Sequence, residues 1–140
     1  MSIIIKKGQR ITLDLHSHDL SRVTIGLGWK VNKPRKGVWD ILKGGISKDV
    51  DLDAIAFVLD RDGHIRNLGV QRDMGGGRLE GFYQSDVVFY NNLEHPSGAI
   101  WHTGDARKGH MSEDDDEQIV VRLNELPEEY ARIRFLVTIY

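Results

Sequence analysis

Short apolar runs with a two-residue period, each closed by glycine or an Asx-Gly pair, limit what this chain can become. Ile11-Thr12-Leu13-Asp14-Leu15 and Val23-Thr24-Ile25-Gly26-Leu27-Gly28-Trp29 alternate apolar with polar or small residues. That spacing turns one face of a strand to a core and the other to solvent. Further runs rich in Val, Ile, Thr and aromatic residues lie at 54–59, 87–90, 100–102, 119–123 and 133–140. The breaks between runs are clearest at Gly8, Asp62-Gly63, Gly75-Gly76-Gly77 and Ser97-Gly98, which supply the backbone freedom of turns. Strands this short need a second layer to cover their apolar faces. The pattern therefore predicts an all-β fold, a β-sandwich of two mostly antiparallel sheets with at most short helices. The best helical candidate is 126–131, with Pro127 near its first turn. Residues 31–49 and 70–84 read as long loops, and Asp60-Arg61-Asp62-Gly63 as a hairpin turn.

At 140 residues the chain is expected to form one domain, 1–140. Its 19 basic and 21 acidic side chains leave a net charge of −2, so no global field favours nucleic acid. Lys33-Pro34-Arg35-Lys36 is the one basic cluster and reads as a solvated loop. There is no cysteine, which excludes disulfides, thiolate metal sites and cysteine nucleophiles and leans towards the cytoplasm. The apolar part of Met1-Ser2-Ile3-Ile4-Ile5-Lys6-Lys7 is too short for a signal peptide, and no run reaches membrane-spanning length. The expectation is a soluble cytoplasmic protein with no direct membrane insertion and no nucleic-acid partner.

The chemistry concentrates in acids. Glu113-Asp114-Asp115-Asp116-Glu117 follows His102-Thr103-Gly104-Asp105 and precedes an apolar run, while Asp51-Leu52-Asp53 opens another. Carboxylates about 5 Å apart repel by about 0.8 kcal/mol per pair in water and about 3 kcal/mol at an effective dielectric of 20. A chain that fixes several of them together needs a counter-charge, and a hard divalent cation held by oxygen is the simplest. Asp51 and Asp53 can share a strand face, and Asn91 and Asn92 end a strand with neutral carbonyl oxygens. Asp105, the Lys108-Gly109 backbone, Asp115, Asp116 and Glu117 complete the candidate donor set. Calcium accepts about six to eight oxygens in flexible geometry, so the surplus predicts one or two Ca2+ ions. The spacing is not that of an EF-hand: counted from Asp51, the sixth position is Ala56, and counted from Asp105, the third and fifth are Arg107 and Gly109.

Other constellations carry less. His16-Ser17-His18 has strand-borne zinc spacing but no third ligand placed by the sequence. His102 lacks a Gly-x-Ser-x-Gly elbow elsewhere and is expected to position the loop bearing Asp105. Gly75-Gly76-Gly77 lacks the Lys-Ser/Thr of a phosphate loop. The enzymatic alternative is a divalent-metal-dependent phosphoesterase, for which no cationic clamp or histidine base is evident. A metal-independent acidic interaction module is the remaining alternative. No catalytic residue is expected.

Taken together, the blocks resemble a known family. Leu20-Ser21-Arg22-Val23-Thr24-Ile25-Gly26-Leu27-Gly28-Trp29, Asp51-Leu52-Asp53-Ala54 and Asp86-Val87-Val88-Phe89-Tyr90-Asn91-Asn92 are similar to TerD-family tellurium-resistance and stress-response proteins. His102-Thr103-Gly104-Asp105, Asp115-Asp116-Glu117 and Phe135-Leu136-Val137-Thr138-Ile139 continue the match in the family's order. The resemblance implies a calcium-binding β-sandwich, a cytoplasmic bacterial or phage setting, tolerance of tellurite and other stresses, and other Ter-type proteins as partners. The positions it carries over are Asp51, Asp53, Asn91, Asn92, Asp105, Asp115, Asp116 and Glu117. The chain departs from the pattern at Val50, where phenylalanine is usual, and at Ala106, where asparagine is frequent. The link 67–84 looks longer than usual, and family members continue well past the block that here stops at Tyr140. The expectation is either a domain lacking the family's C-terminal part or an exposed edge covered by another chain, through homo-oligomer or edge pairing.

Overall fold

A computed structural model describes residues 19–27, 52–104 and 117–139. Within them the order is β1 (Val23–Leu27), β2 (Leu52–Leu59), β3 (Val70–Asp73), β4 (Leu79–Tyr83), β5 (Val87–Val88), β6 (Ile100–His102), β7 (Glu117–Val121), a 3-10 turn (Leu123–Glu125) and β8 (Arg132–Ile139). β7 lies between β1 and β6, β2 lies between β5 and β8, and β3 pairs with β4. Every one of these pairings is antiparallel. The fold is all-β, as the alternating runs predict.

The two three-stranded sheets enclose the core. Ala54, Ala56 and Val58 of β2 and Val88 of β5 pack with Ile100 of β6 and Ile119 and Val121 of β7. Small alanines on β2 let the facing sheet approach closely, and the β-branched residues opposite fill the space. β8 pairs with β2 along eight residues, from Leu52↔Ile139 to Leu59↔Arg132. Its other edge has no strand beside it among the described residues. Phe135, Leu136, Val137 and Ile139 are exposed there, Ile139 to 73%.

Three local readings change. Residues 70–84 are not a long loop but the hairpin β3–β4, tipped by Gly75, Gly76 and Gly77, all at positive φ. Met74 N–H donates to Arg78 C=O at 2.8 Å across that tip. All four residues of β3 are exposed, so the strand carries no buried-face alternation to read. Residues 126–131 form no helix: a single turn closes, Tyr130 N–H to Pro127 C=O at 3.0 Å, after the short 3-10 turn. Residues 60–63 do form a turn, with Gly63 at φ +89°, but β2 pairs with β5 and β8, so it closes no hairpin. The expected strand 11–15, the loop 31–49, His16-Ser17-His18 and Lys33–Lys36 lie outside the described residues.

Candidate functional site

Glu117, the last acid of its run, reaches the start of β2. Val58 N–H donates to Asp86 C=O at 2.8 Å, so by two-residue alternation Ala54 N–H faces the same edge. β5 pairs only with Ala56 and Phe57 and ends before reaching Ala54. Glu117 fills that place: its Oε2 accepts Ala54 N–H at 2.8 Å from the opposite sheet. The Glu117 side chain is wholly buried, seated against the peptide that joins Asp53 to Ala54. Asp53, 7% exposed, lies on the other face of β2, away from the Ala54/Ala56/Val58 side. Glu117, 63 positions from Ala54 along the chain, is thus seated on the peptide that follows Asp53.

The neighbouring strand end is clasped. His102 Nδ1 accepts Gly104 N–H at 2.9 Å, so the neutral ring carries its proton on Nε2, which points at Glu117 Oε2 from 3.4 Å. Thr103 N–H donates to Gln118 C=O at 2.9 Å, and Gln118 N–H donates to Thr103 Oγ1 at 3.1 Å. Residues 103 and 118 therefore pin together the two ends of the segment that carries Asp105 and the acidic run. The loop bearing Asp105, which His102 is expected to position, lies outside the described residues. Asp51, Asp105, Lys108, Gly109, Asp115 and Asp116 lie outside the described residues.

Asn91 is exposed and Asn92 is buried. The Asn92 amide is engaged in the 84–87 turn: Oδ1 accepts Gln84 N–H at 3.0 Å, and Nδ2 donates to Val87 C=O at 2.7 Å. Gln84 sits at φ +54°, a conformation this clasp holds in place. In this structure the side chain of Asn92 thus builds the turn beside β5. Asn92→Ala is expected to cost about 2–3 kcal/mol by stranding buried backbone groups, read as a lower urea midpoint.

One buried constellation is invisible to the sequence reading. Asp86, wholly buried, accepts Arg66 N–H at 2.9 Å and Asn67 N–H at 2.7 Å on Oδ2. Its Oδ1 accepts the Tyr130 hydroxyl at 2.8 Å and faces His95 Nε2 at 3.2 Å. Burial, then the hydrogen bond to Asp86, pushes the Tyr130 hydroxyl up to about 12. Burial holds the His95 ring below the usual histidine range, against the pull of Asp86. The partners span residues 66 to 130, so no local spacing announces them. In the sequence Asp86 shows only as the acid that opens the block Asp86–Asn92.

Asp60, Asp62 and His64 place ligand atoms within 4.8 Å of one another, a spacing that could hold a metal ion. Asp60 Oδ1 already accepts His64 N–H at 2.8 Å and Asp62 N–H at 3.0 Å. Those bonds, the one from His64 foremost, hold its carboxyl below the ordinary range. The sequence shows this cluster as a turn, because aspartate and glycine serve both purposes. No helix among the described residues is long and apolar enough to cross a membrane.

The profile of the TerD domain matches residues 1–69 and 77–140. Over the whole chain, tellurium resistance protein TerX of Serratia marcescens is 43% identical, with 63% of its own length covered. The uncharacterized protein YceE of Bacillus subtilis is 40% identical with 59% covered, and general stress protein 16U of the same organism 34% with 58% covered. The chain thus spans about three fifths of the length of these relatives. A solved crystal structure of a protein of unknown function superposes with a TM-score of 0.51 at 22% identity, covering 85% of this chain and 53% of that one. That likeness concerns the fold alone.

Proposed function

This chain belongs to the TerD family, and from that premise we propose that it is a calcium-binding, non-enzymatic module of a tellurite-resistance and stress-response system. The observation that carries the proposal is the Glu117 carboxylate, buried and seated on the Asp53–Ala54 peptide at 2.8 Å. Glu117 closes, in sequence, a run of acids whose mutual repulsion a shared cation would offset. Asp53 and Glu117 are hard oxygen donors, the class that calcium selects. In the proposal they act with Asp51, Asp105, Asp115, Asp116, the Lys108-Gly109 backbone and Asn91, while Asn92 holds the turn beside them. When bound, the ion removes carboxylate repulsion and orders the acidic segment between its two clasped ends. The names of the relatives, resistance and stress proteins, support a non-enzymatic reading. We place the protein in the cytoplasm with other Ter-type proteins as partners, and the exposed apolar edge of β8 as its surface for strand pairing.

Calcium titrated into chelator-stripped protein should raise the melting temperature far more than equal magnesium. At 100 times the dissociation constant the stabilisation is about 2.7 kcal/mol. Asp53→Asn and Asp116→Ala should remove that rise without lowering the calcium-free midpoint appreciably. An unaltered calcium response in both variants would take these residues out of the site. Turnover of a generic phosphoester with magnesium or manganese, lost on the same substitutions, would favour the enzymatic alternative.

A further inference from the structure

The buried node around His95 has no part in the metal reading, yet it ties three separate segments together. His95 is 2% exposed and Asp86 wholly buried. His95 Nδ1 accepts Ser97 N–H at 3.1 Å and lies 2.7 Å from Ser97 Oγ. That backbone donor fixes the neutral ring with its proton on Nε2, directed at Asp86 Oδ1 3.2 Å away. The same short stretch builds a turn: Gly98 N–H donates to His95 C=O at 2.8 Å, and Ala99 N–H donates to Ser97 Oγ at 3.2 Å. His95 N–H then donates to Ile100 C=O at 2.9 Å, at the first residue of β6.

We infer that His95 is an acid-sensitive latch, whose ring protonation breaks the turn 95–98 and loosens the entry to β6. A second ring proton lands on Nδ1 and sets two donors, Nδ1–H and Ser97 N–H, against each other at a ring that is almost wholly buried. The hydroxyl of Ser97 can rotate to accept from the ring, but the Ser97 amide is then stranded. The groups that face the ring are Asp86, from the segment entering β5, and Tyr130, from the segment entering β8, its ring centroid 5.1 Å away and edge-on. Behind Tyr130 stand Glu129 and Arg66.

The sign follows from burial, which depresses the folded-state pKa of His95. The folded chain binds this proton less readily than the unfolded one, so the stabilisation is complete above about pH 6.5. It is lost as pH falls from there through the folded pKa. β6 runs on to His102 and Gly104, so release of the turn is transmitted to the stem of the acidic segment whether or not a metal is bound.

The test uses the full chain in chelator, melted at about pH 7.5 and about pH 5.5, beside His95→Gln. Glutamine keeps an acceptor for Ser97 and a donor for Asp86 but does not titrate. The parent midpoint is expected to fall by about 5 °C more than that of the variant; equal falls would overturn the inference. Should the variant not fold, ring NMR and amide exchange on the unsubstituted chain decide. Titration of His95 below about 6.5, with exchange at Ser97 and Ala99 rising in step, upholds the latch. Titration at or above that value, or exchange that ignores the ring, refutes it.

Discussion

Asp86→Ala is expected to bring the domain to the edge of unfolding at room temperature. The substitution removes the acceptor of four donors at once: Arg66 N–H, Asn67 N–H, the Tyr130 hydroxyl and His95 Nε2–H. Water does not replace it, because Asp86 is 0% exposed. Leaving buried donors without their acceptor costs about 1–3 kcal/mol each, against a total stability for a small domain of about 5–15 kcal/mol. Asp86→Asn should fall between the parent and the alanine variant: one amide oxygen still accepts, while the new NH2 opposes donors on the other side. Urea unfolding measures both, and an alanine midpoint equal to the parent's would show that this node does not support the fold. Asp86 enters β5 and gathers segments that enter β3, β6 and β8, so the loss should be global, with all probes shifting together.

Gly69→Ala is expected to cost about 3–4 kcal/mol, large for the addition of one methyl group. Gly69 sits at φ +74°, where an L side chain is strained. A Cβ built there meets the Tyr83 carbonyl oxygen and lies 2.8 Å from Ser85 Cβ. Tyr83 is the partner of Val70 in the β3–β4 register, so that carbonyl cannot retreat without breaking a strand pair. The Gly69 amide is also fixed, donating to Asn67 Oδ1 at 2.8 Å. Gly76→Ala is the control: φ is +64°, but nothing lies within 4 Å of the added atom, so the cost should stay near 1 kcal/mol. Equal losses in the two variants would mean that conformational strain, and not the close approach of two segments, governs Gly69.

The contrast between these glycines shows what a single sequence can convey. The alternation of β1 and the Val-, Ile- and aromatic-rich runs of β2, β6 and β8 locate these strands to within two residues at the ends observed. β3 escapes because only Val70 among its four residues is apolar, and all four are exposed. The triple glycine signals backbone freedom but does not distinguish a mobile link from a hairpin tip. Of the candidate ligands, Glu117 reaches the Ala54 amide, next in sequence to Asp53. The sequence likewise marks Asn92 as a polar residue at a strand end, yet the direction of its amide follows from where Gln84 and Val87 lie.

What the chain's order of residues determines alone is the all-β class, the family, and the two acidic blocks that belong to it, since alternation and charge are properties of neighbours. What only the tertiary structure decided is the company those residues keep. Glu117 reaches Ala54 because β5 stops short, and Asp86 gathers donors from residues 66, 67, 95 and 130. The reason is physical: desolvation makes a buried polar group depend on whichever donor or acceptor the fold delivers, and that partner has no fixed distance along the chain.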